Sequence, residues 1–317
     1  MEVTFAIETH GLTKEFRGGR GVRDVHLKIE QGQVFGFLGP NGAGKSTFVK
    51  MLVGLLHPTS GEAHVLGLPA GDVRVRRRIG YLPELFRYQE WLSAEEVLRF
   101  HARLCKLDAQ YAKDRVRTVL EDVGLSGREH ERVRHYSKGM QQRLGIACTL
   151  LPEPEVLFLD EPASALDPGG RHEVRELLTH LAANGMTVFL NTHLLEDVES
   201  ICSDVALLID GTIRARGSVD EILHPEPLWD FTVEGWTPQV LQDLSGVLEY
   251  GLGLTVKKED GTGFAVIEVK AANKEQVAWL NDELVRSGVS VYAIEPRTNR
   301  LESWFLARTE ARGGNGR

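Results

Sequence analysis

Residues 39–47 constrain this 317-residue chain more than any other stretch. Gly39-Pro40-Asn41-Gly42-Ala43-Gly44-Lys45-Ser46-Thr47 fits the spacing G-x-x-x-x-G-K-[ST]. The run Val34-Phe35-Gly36-Phe37-Leu38 ahead of it reads as a fully buried strand. Behind it, Phe48, Met51, Leu52, Leu55 and Leu56 recur at helical spacing and predict a helix facing a core, ending before Pro58 with a turn at Thr59-Ser60-Gly61. Strand, glycine-rich loop and helix start are what phosphate binding needs. Glycines let backbone N–H groups converge on phosphate oxygens without Cβ clashes, and the helix start adds positive partial charge. Lys45 reaches the terminal phosphates of such a ligand, and the Ser46 hydroxyl suits Mg²⁺.

The surrounding sequence fits a sheet of that kind. Val25, Leu27 and Ile29 alternate with polar residues, as in a strand with one wet face. Buried strands are expected at 156–159, 186–190 and 205–209, and helices at 94–105, 112–123 and 138–151. Apolar strands alternating with helices predict a largely parallel sheet covered on both faces. Asp160-Glu161 follow one of these strands. The first carboxylate is placed to hold Mg²⁺ and its neighbour to polarise an attacking water.

In this order the motifs resemble the nucleotide-binding subunit of an ABC transporter, over residues 3–218. Tyr136-Ser137-Lys138-Gly139-Met140-Gln141-Gln142-Arg143 is similar to the family's signature motif, with Lys138 where Gly is commonest. Lys there resembles the ABC-2-type exporter branch. Residues 156–162 resemble the Walker B segment, Ser164-Ala165-Leu166-Asp167 the D-loop, and Asn191-Thr192-His193 the switch-histidine segment. Phe16 is placed like the aromatic that stacks on adenine. Ile79-Gly80-Tyr81-Leu82-Pro83-Glu84 resembles the Q-loop, with Glu84 where Gln is usual. The aromatic stretch 86–91 falls where the family receives a helix from its membrane subunit. The four arginines Arg74, Arg76, Arg77 and Arg78 read as a solvated helix face.

The resemblance implies an α/β P-loop NTPase domain over residues 1–224 that binds ATP and Mg²⁺. It assigns ATP to Phe16, the loop 39–47, Glu84, Ser137, Gly139 and Gln141, and the metal to Ser46, Asp160 and Glu84. Glu161 and His193 are then the catalytic pair. Residues 225–310 are expected to form a small α+β ferredoxin-like domain, and 311–317 a disordered tail. Trp229, Phe231 and Val233 begin it as a strand, Asp260-Gly261 marks a hairpin, and the order β-α-β-β-α-β follows. The stretch 301–306 resembles the end of the accessory domain of some exporter ATPases. A domain that senses a small molecule is a further possibility for this part.

Composition narrows the partners. Net charge is −8, and neither part of the chain has the basic excess of a sequence-independent nucleic-acid binder. No apolar run approaches the length of a membrane span, and no signal peptide is visible at the N-terminus. Cys105, Cys148 and Cys202 are far apart and read as small core residues of a reduced protein. The resulting expectation is an ATP-hydrolysing subunit of an ABC exporter, peripheral on the cytoplasmic face of the membrane. It would pair with a membrane permease and with a second nucleotide-binding subunit, its own copy or a paralogue. The alternative is a soluble ABC-type ATPase acting on ribosomes or DNA. A single cassette without sustained heptads argues against it.

Overall fold

The structure, a computed structural model, describes residues 4–19, 21–223, 228–237, 239–240, 244, 252–259, 263–271 and 273–296. The chain divides into two compact units after Val219, a few residues before the boundary expected at 224.

The first unit holds two sheets. The six-stranded sheet has the order β10-β9-β3-β8-β7-β6. Its strands are β3 (Val34–Leu38), β6 (Ile79–Leu82), β7 (Val156–Asp160), β8 (Thr187–Thr192), β9 (Asp204–Ile209) and β10 (Thr212–Ser218). Every pairing is parallel except β9 with β10. Each residue of β3, β7 and β8 is buried, as strands covered on both faces must be. On one face Phe48, from the helix Lys45–Leu52, stacks on Phe37 at 4.8 Å between ring centroids, and Phe158 and Phe189 continue the aromatic layer. On the other face the helix Leu195–Ile201 crosses Gly36, where a Cβ would meet Val198 Cγ1 at 3.0 Å. The strand at Ile79–Leu82 is one the periodicity missed, since four residues are too few to show alternation.

The second sheet is antiparallel, β2-β1-β4-β5, and was not expected as a separate layer. It comprises β1 (Phe5–Glu15), β2 (Gly21–Glu30), β4 (Ser60–Val65) and β5 (Leu68–Pro69). The alternation of Val25, Leu27 and Ile29 is real, but β2 pairs with β1 rather than joining the parallel sheet. Ser60-Gly61 opens β4 instead of forming a turn, and the preceding helix ends at Leu52, earlier than its apolar spacing suggested. Helices Ala94–Leu104, Ala109–Asp122 and Lys138–Leu150 lie close to their expected ranges. The first is capped by Ser93 and Glu96, each satisfying the other's backbone N–H. Cys148 and Cys202 are buried, whereas Cys105 is exposed just beyond a helix end.

The second unit is an antiparallel sheet of order β12-β13-β11-β14. Its strands are β11 (Leu228–Glu234), β12 (Gly253–Glu259), β13 (Phe264–Lys270) and β14 (Ser290–Pro296). That order suits a β-α-β-β-α-β unit. Leu280 and Leu284, on the helix Lys274–Arg286, pack with Phe231, Val233 and Ile267 in one core. The chain break expected at 224–227, the hairpin turn at Asp260-Gly261, the stretch 301–306 and the tail 311–317 lie outside the described residues. So does most of the first helix expected near 240–247.

Candidate functional site

Four parallel strands deliver the site. The chain leaves β3 into the loop 39–47, β6 into Glu84, β7 at Asp160 and Glu161, and β8 at Asn191 and His193. Together with Phe16, which follows β1, residues of the loop, Glu84, Glu161 and His193 line a cleft of about 460 Å³, while Asp160 and Asn191 are buried and do not line it. Phe16 is 44% exposed, which leaves a ring face free to stack. Gly21 and Ser164 also line the cleft, although nothing in the sequence pattern had marked Gly21.

The loop depends on two glycines. Gly44 sits at φ +108°, and a Cβ there would meet the Gly21 carbonyl at 2.7 Å. A Cβ on Gly39 would lie 2.3 Å from the Leu208 carbonyl. Both positions therefore require the absence of a side chain, and the backbone lies open toward the cleft. Lys45 is buried and donates from Nζ to the Gly39 carbonyl at 2.8 Å. Its Nζ is 3.6 Å from Glu161 Oε1.

Glu161 is tightly constrained. It adopts φ +53°, a left-handed conformation that costs a non-glycine residue energy and persists only where the surroundings enforce it. Its N–H donates to the Asn191 carbonyl at 2.8 Å, and its own carbonyl accepts from Ser164 Oγ at 3.2 Å. Glu161 Oε2 lies 2.8 Å from His193 Nδ1. The side chain is thereby turned away from Asp160 and toward Lys45 and His193.

Asp160 is buried and accepts from Ser46 Oγ at 3.2 Å and from Asn191 Nδ2. Burial raises its pKa, against the hydrogen bonds from Ser46 and Asn191, with the nearby Glu84 and Glu161 adding to the rise. Asn191 is fully buried, and its Oδ1 has no hydrogen-bond partner. The Ser46 hydroxyl and the Asp160 carboxylate, in direct contact, are hard-oxygen donors that fit Mg²⁺. Mg²⁺ commonly takes one or two carboxylates and completes its shell from substrate phosphates. Asn191 was read only as part of a resembling segment. Its contact with Asp160 follows from the register of β8 beside β7, which pairs the two residues.

Ser137, Gly139 and Gln141 do not line this cleft. Ser137 caps the helix Lys138–Leu150, accepting from Met140 N–H at 3.2 Å. Gln141 Nε2 donates to the Tyr136 carbonyl at 3.2 Å. Within one chain, then, the structure gathers Phe16, the loop, Glu84, Asp160, Glu161 and His193, and leaves the Ser137 segment elsewhere.

A second concavity, of about 1040 Å³, is lined by Phe86, Tyr88, Phe100, Leu104 and other residues. Arg76, Arg77, Arg87 and Lys106 also line it, and no carboxylate does. Phe86 and Tyr88 pack together at 5.4 Å, so they are partly structural, while Trp91 is 68% exposed. Arg74, Arg76 and Arg77 are exposed, Arg74 in a surface ion pair with Asp72, and Arg78 is partly buried against Glu155.

Among the described residues no helix is long and apolar enough to cross a membrane. The sequence matches the family model "ABC transporter" over residues 22–164. It is 38% identical to the uncharacterized ABC transporter ATP-binding protein sll0415 of Synechocystis over 97% of this chain and 85% of that protein. It is 31% identical to the daunorubicin/doxorubicin resistance ATP-binding protein DrrA of Streptomyces peucetius over 96% of this chain and 93% of that protein. Among solved structures, cbiO1 from Clostridium perfringens, part of the ABC transporter complex cbiONQ, superposes with a TM-score of 0.64 at 28% identity, covering 70% of this chain and 92% of that one.

Proposed function

This chain belongs to the ABC transporter ATP-binding proteins and is an ATP hydrolase coupled to transport, and from that premise we propose that it drives an exporter by ATP-dependent, head-to-tail pairing of two such subunits. The observation that carries the pairing is the division of the site. The cleft contains the loop and the carboxylates of one chain but not its Ser137, Gly139 or Gln141. A second copy, or a paralogue, supplies those three residues across the interface. Export is supported by Lys138 in the signature segment and by the similarity to DrrA, a daunorubicin/doxorubicin resistance protein.

Phe16 stacks on adenine, and the backbone N–H groups of residues 39–47 with Lys45 bind the phosphates. Ser46, Asp160 and Glu84 would hold Mg²⁺, which would neutralise charge at the phosphate oxygens. Glu161 accepts a hydrogen bond from the attacking water and draws its proton as the oxygen approaches the γ-phosphorus. His193, against Glu161 Oε2, holds that carboxylate in place and faces the terminal phosphate. The cleft's left-handed Glu161 backbone and the Asn191 clamp on Asp160 keep the two carboxylates in separate roles.

The membrane permease docks at residues 86–91, where exposed Trp91 and the concavity lined by Phe86, Tyr88, Phe100 and Leu104 together with Arg76, Arg77, Arg87 and Lys106 offer aromatic anchors with a polar rim. That places the subunit on the cytoplasmic face of the membrane. Residues 1–224 act as the ATP-binding domain and 225–310 as an accessory domain.

Gel filtration of Glu161→Gln tests the pairing. The variant should bind ATP without hydrolysing it, and so elute as a dimer with MgATP and as a monomer without. A monomer under both conditions, with and without co-purified membrane subunit, overturns the head-to-tail reading.

A further inference from the structure

The helix Leu195–Ile201 carries a carboxylate that the reading above leaves unused. Asp197 is 3% exposed, and burial raises its pKa against the pull of Arg175 and Arg171. Its ion-pair partner is Arg175, on the helix Pro168–Ala183, with Nη1 3.7 Å from Asp197 Oδ1. The same guanidinium reaches Glu196 Oε2 at 4.0 Å. Arg171, one turn earlier on that helix, donates from Nε to the Leu166 carbonyl at 3.1 Å. Leu166 belongs to the segment 164–167, whose Ser164 holds the Glu161 carbonyl. On its other side Glu161 is held by Asn191 through the backbone and by His193 through the side chain.

These contacts form a ring around the carboxylate at Glu161. One arm runs through Ser164 and Leu166 to the helix Pro168–Ala183. The other runs through His193 to the helix Leu195–Ile201. Asp197 and Arg175 close it. Burial alone does not call for a charge at position 197. Val198, fully buried over Gly36, already docks the helix, and a buried ion pair carries a desolvation cost that an apolar residue would avoid.

We propose that Asp197 is a positioning residue for hydrolysis: paired with Arg175, it ties the His193 segment to residues 164–167 and so keeps His193 Nδ1 on Glu161. The inference rests on reading Glu161 and His193 as the catalytic pair. It makes the 2.8 Å contact between them depend on residues 164–167, whose Ser164 lines the same cleft.

The test uses the full chain with its co-purifying membrane subunit. Asp197→Asn keeps the volume and a hydrogen-bonding group but removes the charge. Its kcat should fall about tenfold, the scale on which a small misplacement of a catalytic group is felt. The KM for ATP should stay within about twofold, because the loop 39–47 is untouched. Asp197→Glu should recover kcat to within about threefold. Asp197→Asn combined with Arg175→Met should be no slower than either single change, since both remove the same contact. Wild-type kcat in Asp197→Asn overturns the proposal. Additive losses in the double variant, or a rise in KM matching the fall in kcat, overturn it too. Should Asp197→Asn fail to fold, Arg175→Met, whose side chain is 25% exposed, gives the same kcat-against-KM reading. Glu161→Gln is run in parallel. Near-normal hydrolysis there sinks the underlying catalytic reading, whereas a dead Glu161→Gln beside a full-rate Asp197→Asn sinks this inference alone.

Discussion

The six-stranded sheet of the first unit buries its central strands on both faces, the four-stranded sheet of the second buries alternate residues on one, and the two use their strand ends differently. In the first, β3, β6, β7 and β8 run parallel, so the residues that follow them leave at one edge. Lys45, Glu84, Glu161 and His193 are far apart in sequence and line one cleft for that reason. In the second, every pairing is antiparallel, so strands that neighbour each other in the sheet end at opposite edges, two at each. Of the described polar groups there, Lys257 pairs with Glu268 and approaches Asp230 at 3.8 Å, which is sheet-face electrostatics rather than a convergent site. A parallel sheet assembles chemistry from distant segments; an antiparallel one of this size mainly builds a core.

The comparison breaks if chemistry and core do not separate by mutation. Glu161→Gln should lower hydrolysis by a factor on the order of 10²–10⁴, the range for losing a general base, with ATP binding retained. Near-normal turnover would return attention to Glu84 or His193. In the second sheet, Phe231 is fully buried, and Phe231→Ala should destabilise that unit by about 3–5 kcal/mol. Thermal unfolding reads the loss, and the KM for ATP should not move. A changed KM would mean that the second sheet takes part in nucleotide binding. Lys45→Ala should weaken MgATP binding by about 1.5–3 kcal/mol, the value of a hydrogen bond to a charged group, as read by equilibrium titration. The fold should persist, but because Lys45 Nζ also lies 3.6 Å from the buried Glu161 carboxylate, its loss leaves that charge without its cation and the unfolding temperature should fall. The smallest effect is expected at Trp91→Ala. Loss of an exposed aromatic should weaken permease assembly by about 1–2 kcal/mol, as a peripheral contact does, and leave ATP affinity alone. A collapse of ATP affinity with assembly intact would assign Trp91 to the cassette's own packing instead.

Much of the cleft was legible because its determinants are local. The spacing of residues 39–47 after an apolar strand, and Asp160-Glu161 after another, depend on residues adjacent in the chain. The buried strands β7, β8 and β9 were legible as short apolar runs. The antiparallel sheet was not. Its β1 mixes apolar and polar residues irregularly, with register shifts against both neighbours, so no clean alternation reaches the sequence. Nor was the early end of the helix Lys45–Leu52, because Leu56 keeps helical spacing while packing against the core from outside the helix.

Residue type and short-range spacing are enough to specify the phosphate-binding loop, the parallel α/β character and the pairing of two carboxylates with two tasks. The direction in which those carboxylates face is set by long-range packing. Glu161 turns toward Lys45 and His193 because its backbone is left-handed and clamped between Asn191 and Ser164. Asp160 meets Asn191 because β7 and β8 pair in a particular register. The separation of Ser137 from its own cleft, and the Asp197–Arg175 closure behind His193, are likewise set by how helices pack on the sheet. Packing joins residues through contacts that no spacing along the chain encodes.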